Sequence, residues 1–338
     1  MPPRVPYTDG CVAPAPRGGG DGQTTAGTLL RTDRDNHIGI GENVRLDWVI
    51  RADRFEHPLT PGGPPHVEAT RRTGPTPLQL NVHDGLEVGI TLSGEAERHF
   101  QDYVIPGLPG DVWLCAMWEP HGRRVTSSVT ENVVVIFLPD FLGEEMLGDI
   151  PWLSLFAVPA GQRPRVTGGK MRESVLAIGK DLRQEVLTKR RGWETAVRLG
   201  LLRLLFALSR DWQPPAPGAM KRATASDLSR IMPVLSAFHA HPERRVTLPE
   251  AAAACGLSRS RFALVFHETM GLSFGRFCLR ARLAFVAHQL LNTDLAVEDI
   301  AEQVGFVDAS HLHHAFAKHY GCTPRRYRDL GRGASAKR

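Results

Sequence analysis

A helix-turn-helix sequence pattern occurs twice in the last quarter of the chain, with the two copies about fifty residues apart. In each copy a short helix ends at a glycine, a polar cap opens a second helix, and another glycine closes it. The corresponding positions are Gly256 and Gly305, Phe262 and Leu312, Phe266 and Phe316, and Gly271 and Gly321. The first pair lies 49 residues apart and the others 50, so the second turn holds one additional residue, assigned to Val307. A duplicated tri-helical unit is typical of chains that place two helices in the major groove of DNA.

The first copy begins with Thr247-x-x-Glu250, which has the form of a capping box. Gly256 supplies the turn and Ser258 caps the next helix, on which Phe262, Val265 and Phe266 are expected to face the core. The candidates to enter a groove are then Arg259, Ser260, Arg261, Ala263 and Leu264. Arginine can bond the edge of guanine or hold a phosphate, and small side chains can meet other base edges.

In the second copy Asp308 is the expected cap, with Leu312, Ala315 and Phe316 facing inward. The outward residues, predicted to contact DNA, are Ala309, Ser310, His311, His313 and His314. No acidic or cysteine partner accompanies the three histidines, so base or phosphate contact is favoured over a metal site. Between the copies, residues 273–291 are predicted to form one long helix that holds the two reading helices about 34 Å apart, one turn of DNA.

These residues closely resemble the AraC-type (AraC/XylS) transcription regulators. The shared motifs are Arg280-Ala-Arg282-Leu, Asp299-Ile-Ala-Glu-Gln-Val-Gly-Phe306 and Gly321-x-Thr-Pro-x-x-Tyr-Arg328. The resemblance implies a bipartite operator, an N-terminal domain for effector sensing or dimerisation, activation more than repression, and RNA polymerase as a possible partner. Two residues depart from the family pattern: His267 stands where a lysine is usual, and Leu312 where an aromatic residue is usual.

The charge of the chain is concentrated in the same region. Residues 221–338 contain 17 Lys and Arg against 10 Asp and Glu, a net charge of +7, whereas residues 1–220 carry −2. A basic C-terminal third indicates a polyanionic partner. The five cysteines are widely spaced, which favours a reducing compartment, and no apolar stretch is long enough to span a membrane. The expected location is therefore the cytoplasm, in association with the nucleoid.

The remaining sequence predicts an α+β chain whose N-terminal part is an antiparallel sandwich or barrel. Of these two we favour a barrel similar to the cupins. Strand-like segments are residues 45–51, 79–83, 86–92, 111–116 and 133–138. The predicted divisions are a disordered leader (1–27), the sensor barrel (28–168), a helical pair (169–212), a proline-rich linker (213–219), the all-α DNA-binding domain (220–330) and a basic tail (331–338). The helical pair either packs on its own barrel or forms a homodimer interface.

A second resemblance concerns the barrel. His83-x3-Glu87-x6-Gly94, followed by Gly110-x10-His121, has the spacing of the two cupin motifs, but Asn81 stands where the first histidine belongs. The three remaining residues could hold Fe or Zn. Sensor barrels in this regulator family usually resemble cupins without a working metal centre, so no metal or cofactor is predicted. We expect instead a pocket for an unidentified small-molecule effector, with candidate residues Trp48, His83, Glu87, Trp113 and His121.

The favoured hypothesis is a dimeric, effector-responsive, sequence-specific regulator of transcription on double-stranded DNA, and not an enzyme. The alternative from another class is a cupin metalloenzyme with a DNA-binding appendage. A third, a protein–protein adaptor that has lost its DNA contacts, fits poorly with the outward Arg, Ser and His side chains.

Overall fold

The computed structural model describes residues 59–76, 78–100, 103–143, 146–147, 150–213, 225–241 and 244–335. Within these ranges the strands precede the α-helices, with a two-sheet domain followed by a helical domain. The predicted leader, the strand at 45–51, Trp48, and the linker after Gln213 all lie outside the described residues. None of the described helices is both long enough and apolar enough to cross a membrane.

Two antiparallel four-stranded sheets make up the N-terminal domain. The first has the order β1 (His66–Thr73), β8 (Val129–Phe137), β3 (Leu86–Ser93) and β6 (Val112–Cys115). The second has the order β2 (Gln79–Asn81), β7 (His121–Val125), β4 (Ala96–Phe100) and β5 (Val104–Gly107). A small ribbon of β9 (Met146–Leu147) and β10 (Ile150–Pro151) follows. The antiparallel β domain is thus confirmed. The strands within the described residues form two separate sheets and not one closed ring of hydrogen bonds.

Alternation along the strands of the first sheet produces two distinct cores. Leu86, Val88 and Ile90 of β3 point to one face and join a large cluster with the helices that follow. On the opposite face, Trp113 and Val134 pack with Phe100 and Ile105 of the second sheet. This second, smaller cluster lies between the two sheets, in the space that we call the barrel interior.

The four predicted strand segments that lie in the described region correspond to β2, β3, β6 and β8. In β1, β4, β5 and β7 no long apolar run or clean alternation marks the strand. Strands β1 and β5 lie at sheet edges, and β4 and β7 carry Arg98 and His121 on inward positions, so none of the four is marked by a hydrophobic pattern.

The helical pair packs against its own sheet. Helices α1 (Gly169–Thr188) and α2 (Trp193–Ser209) bury their apolar stripes in the large cluster. A Cβ atom on Gly179 would lie 2.7 Å from Leu92 Cδ2, so this glycine allows α1 to approach β3 closely. Leu187 and Leu199 stay exposed, at 56% and 62%. The packing role is therefore observed, and dimerisation through the outer surface stays a prediction.

The helical domain contains the two expected motifs. Its helices are α3 (Ala225–Ala240), α4 (Leu248–Ala254), α5 (Arg259–Met270), α6 (Phe274–Asn292), α7 (Val297–Gln303), α8 (Ala309–Tyr320) and α9 (Pro324–Ser335). The long helix predicted at 273–291 is α6, capped by Ser273. Helix α9 runs past residue 330, the boundary that the sequence predicts between the helical domain and the basic tail. The glycines at 331 and 333 do not end it, although glycine is a poor helix former.

Aromatic residues form the core of each half of this domain. In the first half Phe262 and Phe266 of α5 meet Phe274 of α6 with ring centroids 5.2 Å apart in both cases. In the second half Phe316 of α8 contacts Tyr327 of α9 at 5.1 Å. Edge-to-face pairs of this kind add specific geometry to apolar burial. Helices α5 and α8, the predicted reading helices, are thereby each held at a defined angle to the helix that packs against them.

Candidate functional site

The two turns close with the same hydrogen bonds. In the first copy the amide of Leu257 donates to Ala252 O at 2.9 Å, and in the second the amide of Phe306 donates to Ala301 O at 2.9 Å. Gly256 and Gly305 have φ values of 63° and 71°, in the left-handed region where glycine is favoured. The duplication seen in the sequence is therefore a duplication of backbone geometry.

The additional residue of the second turn is Val307, as predicted. Ser258 directly follows Leu257, whereas Val307 stands between Phe306 and Asp308 and is 88% exposed. The caps themselves are equivalent: Ser258 Oγ accepts from the amide of Arg261 at 3.3 Å, and Asp308 Oδ1 from the amide of His311 at 2.6 Å. Both helices thus begin at an exposed side-chain cap of the same type.

The first reading helix, α5, exposes most of the residues predicted for DNA contact. Arg259, Ser260, Arg261 and Leu264 are exposed and Ala263 is half-buried. The two arginines differ in environment. Arg261 Nη2 lies 3.6 Å from Oδ1 of the buried Asp227 on α3, whereas Arg259 has no ion-pair or hydrogen-bond partner among the described residues. Arg259 is therefore the freer of the two to meet a base or a phosphate.

The second reading helix, α8, exposes Ser310, His311 and His314, with Ala309 and His313 half-buried. The ring of His311 packs edge-on against Phe306 at 5.3 Å, and His314 Nδ1 donates to Ser310 O at 2.9 Å. These contacts orient two of the histidines along the helix surface. They do not converge on a common metal position in the described structure, where the one cluster of suitable donors lies elsewhere.

Two arginines of the shared motifs act as internal braces. Arg282 on α6 donates to Gly305 O at 3.4 Å and stacks on Phe306 with its guanidinium carbon 4.9 Å from the ring centroid. Arg328 on α9 donates to Leu290 O at 3.2 Å and to Leu295 O at 2.5 Å. Both join the connecting helix to the second copy. From the sequence, both arginines can be recognised only as members of the shared motifs. Their hydrogen-bond partners are backbone carbonyls, which side-chain type does not reveal.

In the barrel interior, His83, Glu87 and His121 come together as the spacing predicted. Their ligand atoms all lie within 4.8 Å of one another and all three residues are buried. Oε2 of Glu87 is 3.1 Å from His83 Nε2 and 3.3 Å from His121 Nε2, and Trp113 Nε1 donates to the other carboxylate oxygen. Four of the five candidate pocket residues therefore form one network, and the fifth, Trp48, lies outside the described residues.

The hydrogen bonds of the two imidazoles fix the orientation of their rings. Nδ1–H of His83 donates to Gly85 O at 3.0 Å, and Nδ1–H of His121 donates to Glu119 O at 2.8 Å. With the Nδ1 atoms engaged by these carbonyls, both Nε2 atoms face the Glu87 carboxylate. The three donors thus suit a divalent cation in type.

Charge interactions in this network overcome burial. Burial alone would raise the pKa of Glu87, but the charge of His121 and hydrogen bonds from both imidazoles lower it well below the usual value. Burial alone would lower the pKa of His121, and the acidic groups of Cys115 and Glu87 raise it well above the usual value. The glutamate is therefore a carboxylate, held by cationic neighbours in a water-poor interior.

Comparison with known proteins adds independent support for the helical domain. A family model described as a helix-turn-helix domain matches residues 251–329. The chain is 31% identical over 100 residues to the RCS-specific HTH-type transcriptional activator RclR of Escherichia coli K12, covering 30% of this chain and 35% of RclR. It is 34% identical over 102 residues to the transcriptional activator NphR of a Rhodococcus species, covering 30% of each chain.

Residues 251–329 form an AraC-type helix-turn-helix domain. The chain spans about a third of the length of the curated relatives that it matches. Among solved structures it is similar to ToxT from Vibrio cholerae O395, with a TM-score of 0.42 and 11% identity over 80% of this chain and 98% of that one.

The AraC-type domain contacts the two-sheet domain through the end of its first reading helix. Gly271, with φ of 70°, closes α5 against the segment after the 3-10 helix Trp152–Leu155. A Cβ atom placed on Gly271 would lie 1.7 Å from Ala157 O, so only glycine fits. The equivalent Gly321 has φ of 72°, yet a Cβ there would meet no described atom within 4 Å. The two copies therefore differ in this contact.

Two further contacts involve residues next to the buried histidines. Asp84, adjacent to His83, lies 2.6 Å from Nδ1 of His239 on α3. Glu119, whose carbonyl accepts from His121, forms a two-pronged ion pair with Arg163 at 2.7 and 2.9 Å. Burial alone would raise the pKa of Glu119, but Arg163, with a smaller effect of Arg280 on α6, lowers it. The neighbours of the buried network thus contact α3 of the helical domain and are influenced by the charge of Arg280 on α6.

Proposed function

We propose that this chain is a transcription regulator that binds a bipartite site on double-stranded DNA and responds to a small-molecule effector. The observation that carries the proposal is the pair of equivalent reading helices, α5 and α8, with the same caps and turn closures, joined by the single helix α6. Two such helices on one rigid connector fit successive turns of one major-groove face.

Charge and relatives support the same function. The net charge of +7 in residues 221–338 suits a phosphate backbone, and counterion release would then supply much of the affinity. The matched relatives RclR and NphR are transcriptional activators, which favours activation and contact with RNA polymerase. A homodimer, with the exposed face of α1 and α2 as the interface, and a cytoplasmic, nucleoid-associated location complete the proposal.

The effector part of the proposal rests on the barrel interior. A sandwich of this size normally fills the space between its sheets with apolar side chains. Here that space holds the network of His83, Glu87, Trp113 and His121. Converging polar groups beside an apolar cluster are typical of small-molecule sites. The metalloenzyme alternative is less favoured because Asn81 replaces the first histidine and the relatives are regulators.

The test is footprinting of the full chain on DNA upstream of its own and neighbouring genes. We expect two protected segments about 34 Å apart along the helix axis, and an affinity that falls steeply between 50 and 200 mM salt, by roughly 10³-fold if about six phosphates are contacted. Binding that shows no preference for any segment over bulk DNA would reject the regulator function. Metal analysis of the purified chain and of His121→Ala tests the alternative.

A further inference from the structure

Two arginines point into the barrel interior from neighbouring strands. Arg98 on β4 and Arg123 on β7 lie directly opposite each other in the antiparallel register. Arg98 also lies opposite Ile105, a member of the apolar cluster between the sheets. Directly paired residues of an antiparallel pair project to the same face. The interior therefore contains two adjacent guanidinium groups, and Arg98 is only 5% exposed.

Arg98 is held on an aromatic platform. Its guanidinium carbon lies 3.5 Å from the ring centroid of Trp113. The indole also covers Gly89, where a Cβ atom would lie 1.9 Å from the ring. The ring is fixed at its edge by the hydrogen bond from Nε1 to Glu87. The guanidinium thus stacks on a ring whose position is set by a glycine and a carboxylate.

Arg98 has no acceptor for its N–H groups within the part of the chain that the structure describes, neither a carboxylate within ion-pair distance nor a carbonyl. Glu87 acts on it from further away and is already bonded to Trp113 and the two imidazoles. Burial lowers the pKa of Arg98, and burial together with the charges of Arg98 and Arg72 lowers that of Arg123 to about 10. A buried cation without a partner is costly, so its retention suggests a partner from outside the chain.

We propose that Arg98, stacked on Trp113, binds the carboxylate of a small organic acid, with Arg123 as a second positive group beside it. A planar carboxylate can accept two parallel N–H bonds from one guanidinium. The body of the acid is apolar, because the cluster around the arginine consists mainly of Phe100, Ile105, Val134 and Ile136. This inference rests on the effector site of the proposed function and specifies the chemical class of the effector.

Binding is measured on the full chain by thermal shift and calorimetry, with benzoate and octanoate as probes. Benzamide, which has the same ring without the charge, and inorganic phosphate, which is an anion without an apolar body, are the comparison ligands. The test variant is Arg98→Met. The matched control is Arg124→Met, one position from Arg123 on β7, where the side chain is partly exposed and pairs with Glu97 at 3.4 Å.

We expect at least one of the two acids to raise the melting temperature of the natural chain and of Arg124→Met. Arg98→Met should lose the shift, with affinity at least about 30-fold weaker, as loss of a buried charged partner predicts. It should also melt higher than the natural chain without ligand, because an uncompensated charge has been removed. If Arg98→Met does not fold, Arg123→Met, which is less buried, should weaken binding about tenfold.

The proposal is overturned if neither acid binds, if benzamide or phosphate binds as well as the acids, or if Arg98→Met binds them equally. Gel shifts on the same proteins separate this outcome from failure of the proposed function. Site-selective DNA binding without any acid binding would reject the carboxylate site alone. Acid binding by a chain that shows no preferred DNA segment would reject the regulator function and leave the carboxylate site standing.

Discussion

Arg259 and Arg261 lie two positions apart at the start of the same reading helix, but only one of them is tied to the protein. Arg261 reaches the buried carboxylate of Asp227, and that contact helps to hold α5 against α3. Arg259 has no such contact in the described structure. Sequence position alone treats the two as equal candidates. Their surroundings differ: Arg261 contacts Asp227 and contributes to the packing of α5, whereas DNA contact by Arg259 stays a prediction.

This difference predicts different outcomes for two alanine variants. Arg259→Ala should reduce specific DNA affinity by about 1–3 kcal/mol and leave the melting temperature unchanged. Arg261→Ala should lower the melting temperature as well, because Asp227 then loses one of its charged neighbours. Gel shifts and thermal melts on both variants check this. A melting temperature lowered equally in both would contradict it.

A second residue-scale prediction concerns the buried network. Glu87→Gln should lower the free energy of unfolding by about 3–5 kcal/mol, because the buried cationic groups around it lose their carboxylate. Glu131→Gln is the control: Glu131 pairs with the exposed Arg71 at 3.5 Å, and such pairs contribute about 1 kcal/mol or less. Denaturant melts of the two variants give the comparison. Equal stability would show that the network is not held by Glu87.

At the scale of elements, the two copies depend on their caps. Asp308→Ala should cost about 0.5–2 kcal/mol of stability by leaving the amide of His311 without its acceptor. In footprinting, the variant should lose protection mainly in the half-site read by α8. Asp308→Asn keeps a side-chain oxygen at the cap and should restore both stability and footprint. Equal loss at both half-sites would argue that α5 and α8 do not read separate segments.

Many of the helix boundaries and turns could be predicted from the sequence, because caps and turns depend on residues that are close together in the chain. Thr247 and Glu250 form the capping box that their spacing indicates, and the extra residue falls at Val307. The inward arginine of β4 could not be predicted, because its partner Trp113 comes from the other sheet. Likewise the bond from Arg282 to the carbonyl of Gly305 depends on how the helices pack, which side-chain type does not encode. Local chemistry was readable, and contacts between distant segments were not.

At the scale of the whole molecule, Gly271 lies at one of the contacts between the two domains. Gly271→Ala and Gly321→Ala share the strain of a side chain at positive φ, roughly 1–2 kcal/mol. Only Gly271→Ala also forces Ala157 away, since the added carbon would overlap its carbonyl oxygen. We expect Gly271→Ala to be the less stable variant, with faster amide hydrogen exchange in residues 152–157. Identical exchange in the two variants would show that this contact does not hold the domains together.

The contact at Gly271 also means that α5 and α8, although equivalent in structure, differ in the substitutions that they can accept at their C-terminal ends. A Cβ atom on Gly321 would meet no described atom within 4 Å, so the two sheets place no steric limit on that position. Around Gly271 any change must suit both halves of the protein at once. Transfer of the first helix-turn-helix copy into another regulator would therefore require transfer of the segment that ends at Ala157 as well. The second copy should be transferable without it.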